Sequence, residues 1–536
     1  MILNSFFNRV FNLSNNEWPR VSQALLMKLF YRIGFVLGWT MLVGLFVSHY
    51  GIFYLPLLFV INAFFTMLGT VFFSTFLNKF KKTSLMIGVI LVAAGLLIGS
   101  AYFLSDNFVL FFLMLLVVES VFLMQFKILS DGYVEEMFNP LESERTFPII
   151  ESSETIGGIL AGVLLFSLSD VFASTGFVYI WAIFTLLMIP LILQHEGVNK
   201  EESLTKIKKG FKDFKKASFL KGLLLIVFLH WFLFSLVEFQ YTSMVYKSTS
   251  NVILEGGSGF EHAFIHDLGG FFVLFSFSAL LVQLFLGSRL IKSLGIMNTM
   301  LLHPLVTLLS VFALTMSFTF PVAILMKNNF IITTALFLNV YHSAYYAIRE
   351  KYREYSREFL EGVIRPVGAL LGTIFLMGLQ LVSGGDKLSL SLNVFMVMIS
   401  LLMLFVVYYQ QDNYSKVALD DLLKSKDKNV RLNAIDILSQ KGHKKTVNIF
   451  RKILKDKNEL ACIKEKILCD YSELQEKDFL EDIIECLNAK EKTVREAALV
   501  GISNYKDLKK VDVHIAKNLD KLMKNKNMNL INENII

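Results

Sequence analysis

The sequence predicts an all-α, polytopic membrane protein: twelve transmembrane helices in two six-helix halves, followed by a C-terminal α-solenoid. Three observations carry that prediction. Hydrophobic residues make up 54% of the 536, with 51 Phe among them, and the mean hydropathy is +0.55. Runs of about 20 apolar residues, the length a bilayer core demands of a helix, recur from residue 24 onward. Beyond residue 412 the chain turns polar but keeps a helical period, which marks a separate helical domain.

Taken in order, the chain opens with a segment, 1–23, that lacks the small-residue cleavage site of a secretory signal. The spans read as 24–48, 52–77, 85–104, 108–129, 147–168, 176–194, 219–244, 268–288, 296–317, 319–342, 363–383 and 389–410. A basic linker, 195–218, separates the halves 24–194 and 219–410. Basic residues alternate strongly between the two sides. One side holds Arg9, Arg20, Lys28 and Arg32, then Lys79, Lys81 and Lys82, then Lys127 and Arg145. It continues with eight lysines from Lys200 to Lys221, then Arg289 and Lys292, then Arg349, Lys351, Arg353, Arg357 and Arg365. The other side has Lys247 and Lys387 only. Positive charge is retained on the cytoplasmic face. Both termini are therefore expected in the cytoplasm, and the protein in the plasma (bacterial inner) membrane.

Within the linker, Ile207, Phe211 and Phe214 recur at helical spacing among six lysines. That pattern fits an amphipathic helix on anionic lipid, or equally a solvated basic linker. The basic turns FLNKFKKTSLM after span 2 and GSRLIKSLGIM after span 8 correspond in the two halves, as parallel repeats would. Between Tyr246 and Asp267 lie Gly256, Gly257, Gly259, Glu261, His262 and His266. No standard metal spacing is present, and a flexible loop is expected.

In the polar domain, 411–536, three stretches look alike, beginning at Lys426, Lys455 and Asn488. Each pairs a charged turn with a helix carrying apolar residues such as Val430, Ala434, Ile437 and Leu438. Helical repeats of roughly 30–35 residues stack into solenoids. The stretches resemble HEAT repeats, best at Asn429–Ala434 and Thr493–Ala497, which implies a cytoplasmic platform with a protein partner. Cys462, Cys469 and Cys486 have neither CxxC nor His/Cys spacing and read as reduced thiols.

Charge at bilayer depth costs several kcal/mol, so such residues face a bundle interior or a water-filled path. Arg32 in span 1, Glu119 in span 4, His230 and Glu238 in span 7 and Lys327 in span 10 are of this kind. They occupy the first helix of every three, which places those helices around a central cavity. At a rise of about 1.5 Å per residue, Glu119 lies roughly 16 Å deep, near the midplane. Glu119 and Glu238 are candidate proton or cation sites. Arg32, Lys28 and Lys327 are candidate anchors for an anionic solute, although each is close enough to an interface to snorkel. His230 shares a helix face with Phe234 and Glu238. Trp39, Tyr341 and Tyr345 suit either stacking on a planar ligand or packing. No nucleophile–base constellation, metal motif or phosphate-binding glycine loop is present, so no enzyme, cofactor or nucleic-acid partner is expected.

The segment EEMFNPLESERTFPIIESSETIGGILAG, Glu135 to Gly162, is more specific. With Glu142, Glu144, Arg145, Phe147, Pro148, Gly157, Gly158 and Gly162 it resembles the entry to span 5 in the ATP/ADP translocase (nucleotide transporter) family. LVEFQYTSM from Leu236, with Glu238, resembles that family's span 7, and FLEGVIRPVGALLG from Phe359 its entry to span 11. Glu119 falls about a turn from the family's span-4 glutamate, and this chain reads Thr333–Thr334 at the family's span-10 lysine. The resemblance is to the bacterial branch that carries C-terminal HEAT repeats. It implies the major facilitator superfamily fold, alternating access, and a cavity lined by spans 1, 4, 7 and 10. The expected function is secondary transport of a small anionic organic solute, nucleotides included. The alternative is a non-transporting bundle that anchors the solenoid for a protein partner.

Overall fold

The computed structural model describes residues 17–74, 80–103, 107–138, 140–168, 174–194, 218–250, 258–345, 348, 356–357, 359–383, 386–439, 444–472, 477–503 and 505. Twelve helices are long and apolar enough to cross a membrane. They are span 1 (Trp18–Tyr50), span 2 (Ile52–Phe73), span 3 (Lys82–Phe103), span 4 (Phe108–Val134), span 5 (Ile149–Leu168) and span 6 (Gly176–Leu193). Span 7 (Phe219–Ser250), span 8 (His262–Gly287), span 9 (Ile296–Met316), span 10 (Phe320–Tyr341), span 11 (Leu360–Val382) and span 12 (Lys387–Lys424) follow. The chain divides into two compact units, Met1–Gln410 and Gln411–Ile536.

Local chemistry sets several span ends. Pro19 stands in the first turn of span 1, where its missing N–H is not needed. Gly51, at φ +84°, ends that helix in a conformation a side chain would resist. Asn107 opens span 4 by accepting from the Leu110 N–H at 3.1 Å. Three short π-helical segments interrupt the regular pitch: Val118–Leu123, Gln283–Gly287 and Leu360–Ile364. Such segments re-aim the following side chains and are frequent at functional sites. Two of the three carry a buried carboxylate, Glu119 and Glu361.

Large apolar side chains on the outer faces, such as Phe72, Leu91, Leu309, Phe312 and Phe405, are exposed in a way that suits contact with lipid. Inside, small residues let helices approach. The glycines singled out in the sequence have distinct partners. A Cβ on Gly157 would lie 2.8 Å from the Leu29 carbonyl of span 1. One on Gly158 would lie 2.9 Å from Ser276, and one on Gly162 would lie 3.0 Å from the Gly269 carbonyl, both on span 8. Span 5 thus forms one seam between the halves, with the Thr155 hydroxyl donating to Gln283 of span 8 at 2.6 Å. Gly368 and Gly372 bring span 11 against the backbone of span 7 in the same way, each Cβ position being 2.7 Å from a span-7 carbonyl. Spans 2 and 11 form the second seam between the halves.

One expectation is corrected. The loop predicted between Tyr246 and Asp267 is largely helix: one helix runs to Ser250 and the next begins at Ser258. Phe260, Phe264, Ile265 and Leu268 recur at helical spacing and are buried, which the glycines nearby masked. Asp267 accepts from Thr249 at 2.7 Å rather than joining a metal site. The basic linker 195–217 and the loop 251–257 lie outside the described residues.

Among the described residues the second unit contains five short helices: α1 (Lys428–Ser439), α2 (Lys444–Lys455), α3 (Ala461–Ser472), α4 (Lys477–Cys486) and α5 (Lys492–Ser503). Helices α1, α3 and α5 pack side by side, as do α2 and α4. Phe450, Tyr471 and Phe479 are fully buried and stack edge-on at 5.1 and 4.7 Å. Ion pairs join neighbouring helices: Arg431 with Glu459, Arg451 with Asp482 and Lys466 with Asp436.

Candidate functional site

Two of the predicted anchors are already neutralised. The Lys327 ammonium lies 2.5 Å from Glu238, joining spans 10 and 7. Phe234, Tyr241 and Phe330 surround it at 5.1, 5.4 and 5.9 Å. Lys28 does not snorkel to an interface. It is 3% exposed, hydrogen-bonded to Glu151, 2.9 Å from Asp131 and 3.5 Å from Glu154. Lys127 completes this network, 2.8 Å from Glu154. Three acids therefore hold two lysines, tying spans 1, 4 and 5 at one end of the first half. Burial explains both results: in a low dielectric, facing opposite charges pair rather than wait for a ligand.

Two arginines are left over. The Arg32 guanidinium stands over Phe35 at 5.6 Å and reaches across to Phe272 of span 8 at 6.0 Å. Arg365, on span 11 of the other half, stacks on Trp231 at 3.8 Å. Among the described residues neither has a carboxylate at ion-pair distance. Unsatisfied polar atoms gather around them. Glu119 is 1% exposed, and neither of its oxygens has a hydrogen-bond partner among the described residues. The Tyr31 hydroxyl and Glu361 Oε1 are in the same condition. These groups share one electrostatic neighbourhood. Arg32 acts on Glu119; Glu119, Arg32 and Arg365 act on Tyr31; Glu361, Tyr31 and Arg32 act on Arg365. Native buried polar groups are nearly always bonded, which makes this cluster a candidate binding site. A guanidinium offers five donors in a rigid fork, suited to phosphate or carboxylate.

His230 belongs to neither group. Its Nδ1 lies 2.9 Å from His303 Nε2, and His303 Nδ1 lies 3.0 Å from the Thr333 hydroxyl. Phe330 and Phe337 lie parallel to the His230 ring at 5.9 and 4.8 Å. Trp39 stacks on Phe59 at 5.9 Å, and Tyr341 and Tyr345 hydrogen-bond to each other.

Of the six predicted residues, the structure brings Glu238 and Lys327 together, sets Arg32 near Glu119, and holds Lys28 among the acids of spans 4 and 5 and His230 against His303. Charge is not confined to spans 1, 4, 7 and 10, as the sequence reading held. Glu151 and Glu154 lie in span 5, and Glu361 and Arg365 in span 11. Arg365 was assigned to the basic side as an interfacial charge. Its signal was Pro366 directly behind it: a proline at a helix start puts Arg365 inside span 11. Asp131, Glu361 and His303 were missed: only His303 sits in an apolar run, while Asp131 and Glu361 lie just beyond the expected limits of spans 4 and 11. The side chains of Glu142, Glu144, Arg145 and Pro148 lie outside those described.

No protein-family model matches the sequence, and no curated protein matches it. The fold is similar to solved structures of transporters. The major facilitator superfamily proton:xylose symporter XylE has a TM-score of 0.55 at 12% identity, covering 73% of this chain and 95% of its own. The nucleoside transporter NupG gives 0.51 at 14%, covering 73% and 99%. The human organic anion transporter MFSD10 (TETRAN) gives 0.51 at 15%, covering 74% and 100%. The chain is an integral membrane protein with the major facilitator fold.

Proposed function

We propose that this protein is a secondary transporter that moves a small anionic organic solute by alternating access. The observation that carries the reading is the pair Arg32 and Arg365, set in opposite halves with no carboxylate at ion-pair distance among the described residues, beside Glu119, the Tyr31 hydroxyl and Glu361 Oε1, which have no hydrogen-bond partner there. An anion between the halves would satisfy both guanidiniums at once, and rocking of the halves about spans 5 and 8 would carry it from one side to the other. Glu119 is the release group of this site. Glu238–Lys327 and the Lys28 network are charge pairs that hold the two halves internally rigid. The resemblance at Glu135–Gly162, Leu236 and Phe359 makes a nucleotide the first solute to try. The basic faces imply cytoplasmic termini in a bacterial inner membrane, with the HEAT-like repeats as a cytoplasmic platform. Domain limits follow the sequence reading: 1–23, 24–194, 195–218, 219–410 and 411–536.

The test is uptake and counter-exchange of labelled nucleotides in proteoliposomes, with wild type, Glu119→Gln and Glu238→Gln. Saturable exchange lost in Glu119→Gln supports the reading. No exchange with any nucleotide or other organic anion rejects it. That outcome favours a non-transporting anchor for the repeat domain, although an anchor has no use for a buried, unbonded Glu119.

A further inference from the structure

The hydrogen bonds around His230 have a direction. The Thr333 hydroxyl has one proton, and it is directed to the backbone carbonyls of Asn329 at 2.9 Å and Phe330 at 3.2 Å. Toward His303 it therefore accepts, so His303 carries its proton on Nδ1 and presents a bare Nε2. His230 must then donate from Nδ1 to that atom. By exclusion, the free lone pair of this hydrogen-bonded series is His230 Nε2. That atom is fully buried and has no hydrogen-bond partner among the described residues.

A bare imidazole nitrogen at the end of an ordered donor chain is a place for a proton. The added charge would be shared with His303 and faced by two parallel aromatic rings, an arrangement that favours a cation. The charged or titratable groups acting on His230 are His303 from span 9 and Arg365 from span 11. Span 10 presents Phe330, Thr333 and Phe337 at this level. Arg365 is one ring away, stacked on Trp231, which itself meets His230 edge-on at 5.2 Å. With no carboxylate at ion-pair distance among the described residues, Arg365 repels a proton on His230. When an anion covers Arg365, that repulsion falls.

We infer that His230 Nε2 is the site of a coupled proton, and that Arg365 links it to the anion site so that proton and solute bind together. The step is simple in its balance: one proton adds to the Nε2 lone pair and leaves again on the other side, with no other bond changed. The inference deepens the transporter reading and rests on it for the solute. By linkage, whatever the anion does for the proton, the proton does for the anion.

The experiment is nitrogen NMR of histidine-labelled protein in lipid nanodiscs from pH 8 to 5, with His230 assigned by the loss of its signal in His230→Gln. The expected result is a bare Nε2 at pH 8 that gains a proton on acidification. In Arg365→Gln the half-protonation pH should lie about one unit higher, and in Arg365→Lys near wild type. A proton already on Nε2 at pH 8, a His230 neutral throughout, or no difference in Arg365→Gln overturns the inference. Proteoliposomes exchanging labelled ADP separate the two readings. A one-unit inward pH gradient should raise accumulation about tenfold in wild type, if one proton moves per solute, and add nothing in His230→Gln. Exchange without any gradient effect sinks the proton and leaves the transporter.

Discussion

Replacing Lys327 by Met removes the cation facing Glu238 and leaves that carboxylate, 15% exposed, without a partner. Coulomb's law across 2.5 Å at an effective dielectric constant of about 20 gives roughly 7 kcal/mol of gross attraction. Much of that offsets the desolvation of two ions, so the net worth of the pair is small. Breaking it is different: an orphaned buried charge costs about 3–5 kcal/mol. The single variants Lys327→Met and Glu238→Gln should therefore both lower the thermal midpoint of the purified protein. The double variant should recover most of the loss, since it buries no uncompensated charge. Midpoints from tryptophan fluorescence in one detergent close the cycle. If the double variant falls by the sum of the two singles, the pair is not the compensated unit described here.

Other expectations follow from the same coordinates. Gly157→Ala forces span 5 away from the Leu29 carbonyl and should cost about 1–3 kcal/mol. Gly88→Ala, with open space around its Cβ, should be neutral or gain up to about 1 kcal/mol in a melting comparison. Glu119→Gln keeps the volume and removes an unbonded carboxylate, so it should melt no lower than wild type while transport is lost. In the repeat unit, burial and a hydrogen bond shared with Asp436 push Asp470 up to about 7 from an ordinary 3.8. The folded state therefore holds a proton that the unfolded chain releases. Its stabilising effect is complete below about pH 4 and is lost as pH rises through 7. Asp470→Asn should then label at Cys469 with maleimide more slowly than wild type at pH 8, with a smaller difference at pH 5. Equal rates at both pH values contradict that assignment.

Composition and hydrophobic period made the twelve spans legible, because bilayer length is a property of sequence alone. Glu119 was legible for the same reason: a carboxylate at mid-depth has no route to water. What could not be read was pairing. Lys28 and Lys327 look identical to Arg32 in a sequence, and only the helix arrangement shows that acids on spans 4, 5 and 7 already hold the lysines. Arg365 was hidden by its position at a span entrance, where a basic residue is expected on topology grounds. The π-helical segments were invisible too, since an extra residue per turn leaves no compositional trace. His303 sits beside Pro304 in an apolar run, and its partnership with His230 is a long-range contact. The helices near 411–503 were visible because charged turns recur between apolar stretches.

The most direct measurement is counter-exchange of a labelled organic anion by proteoliposomes carrying wild type, Arg32→Gln or Arg365→Gln, each checked for correct insertion. Saturable exchange in wild type that falls at least tenfold in both variants is the predicted result. Exchange that survives the loss of both arginines would contradict an anion site between the halves.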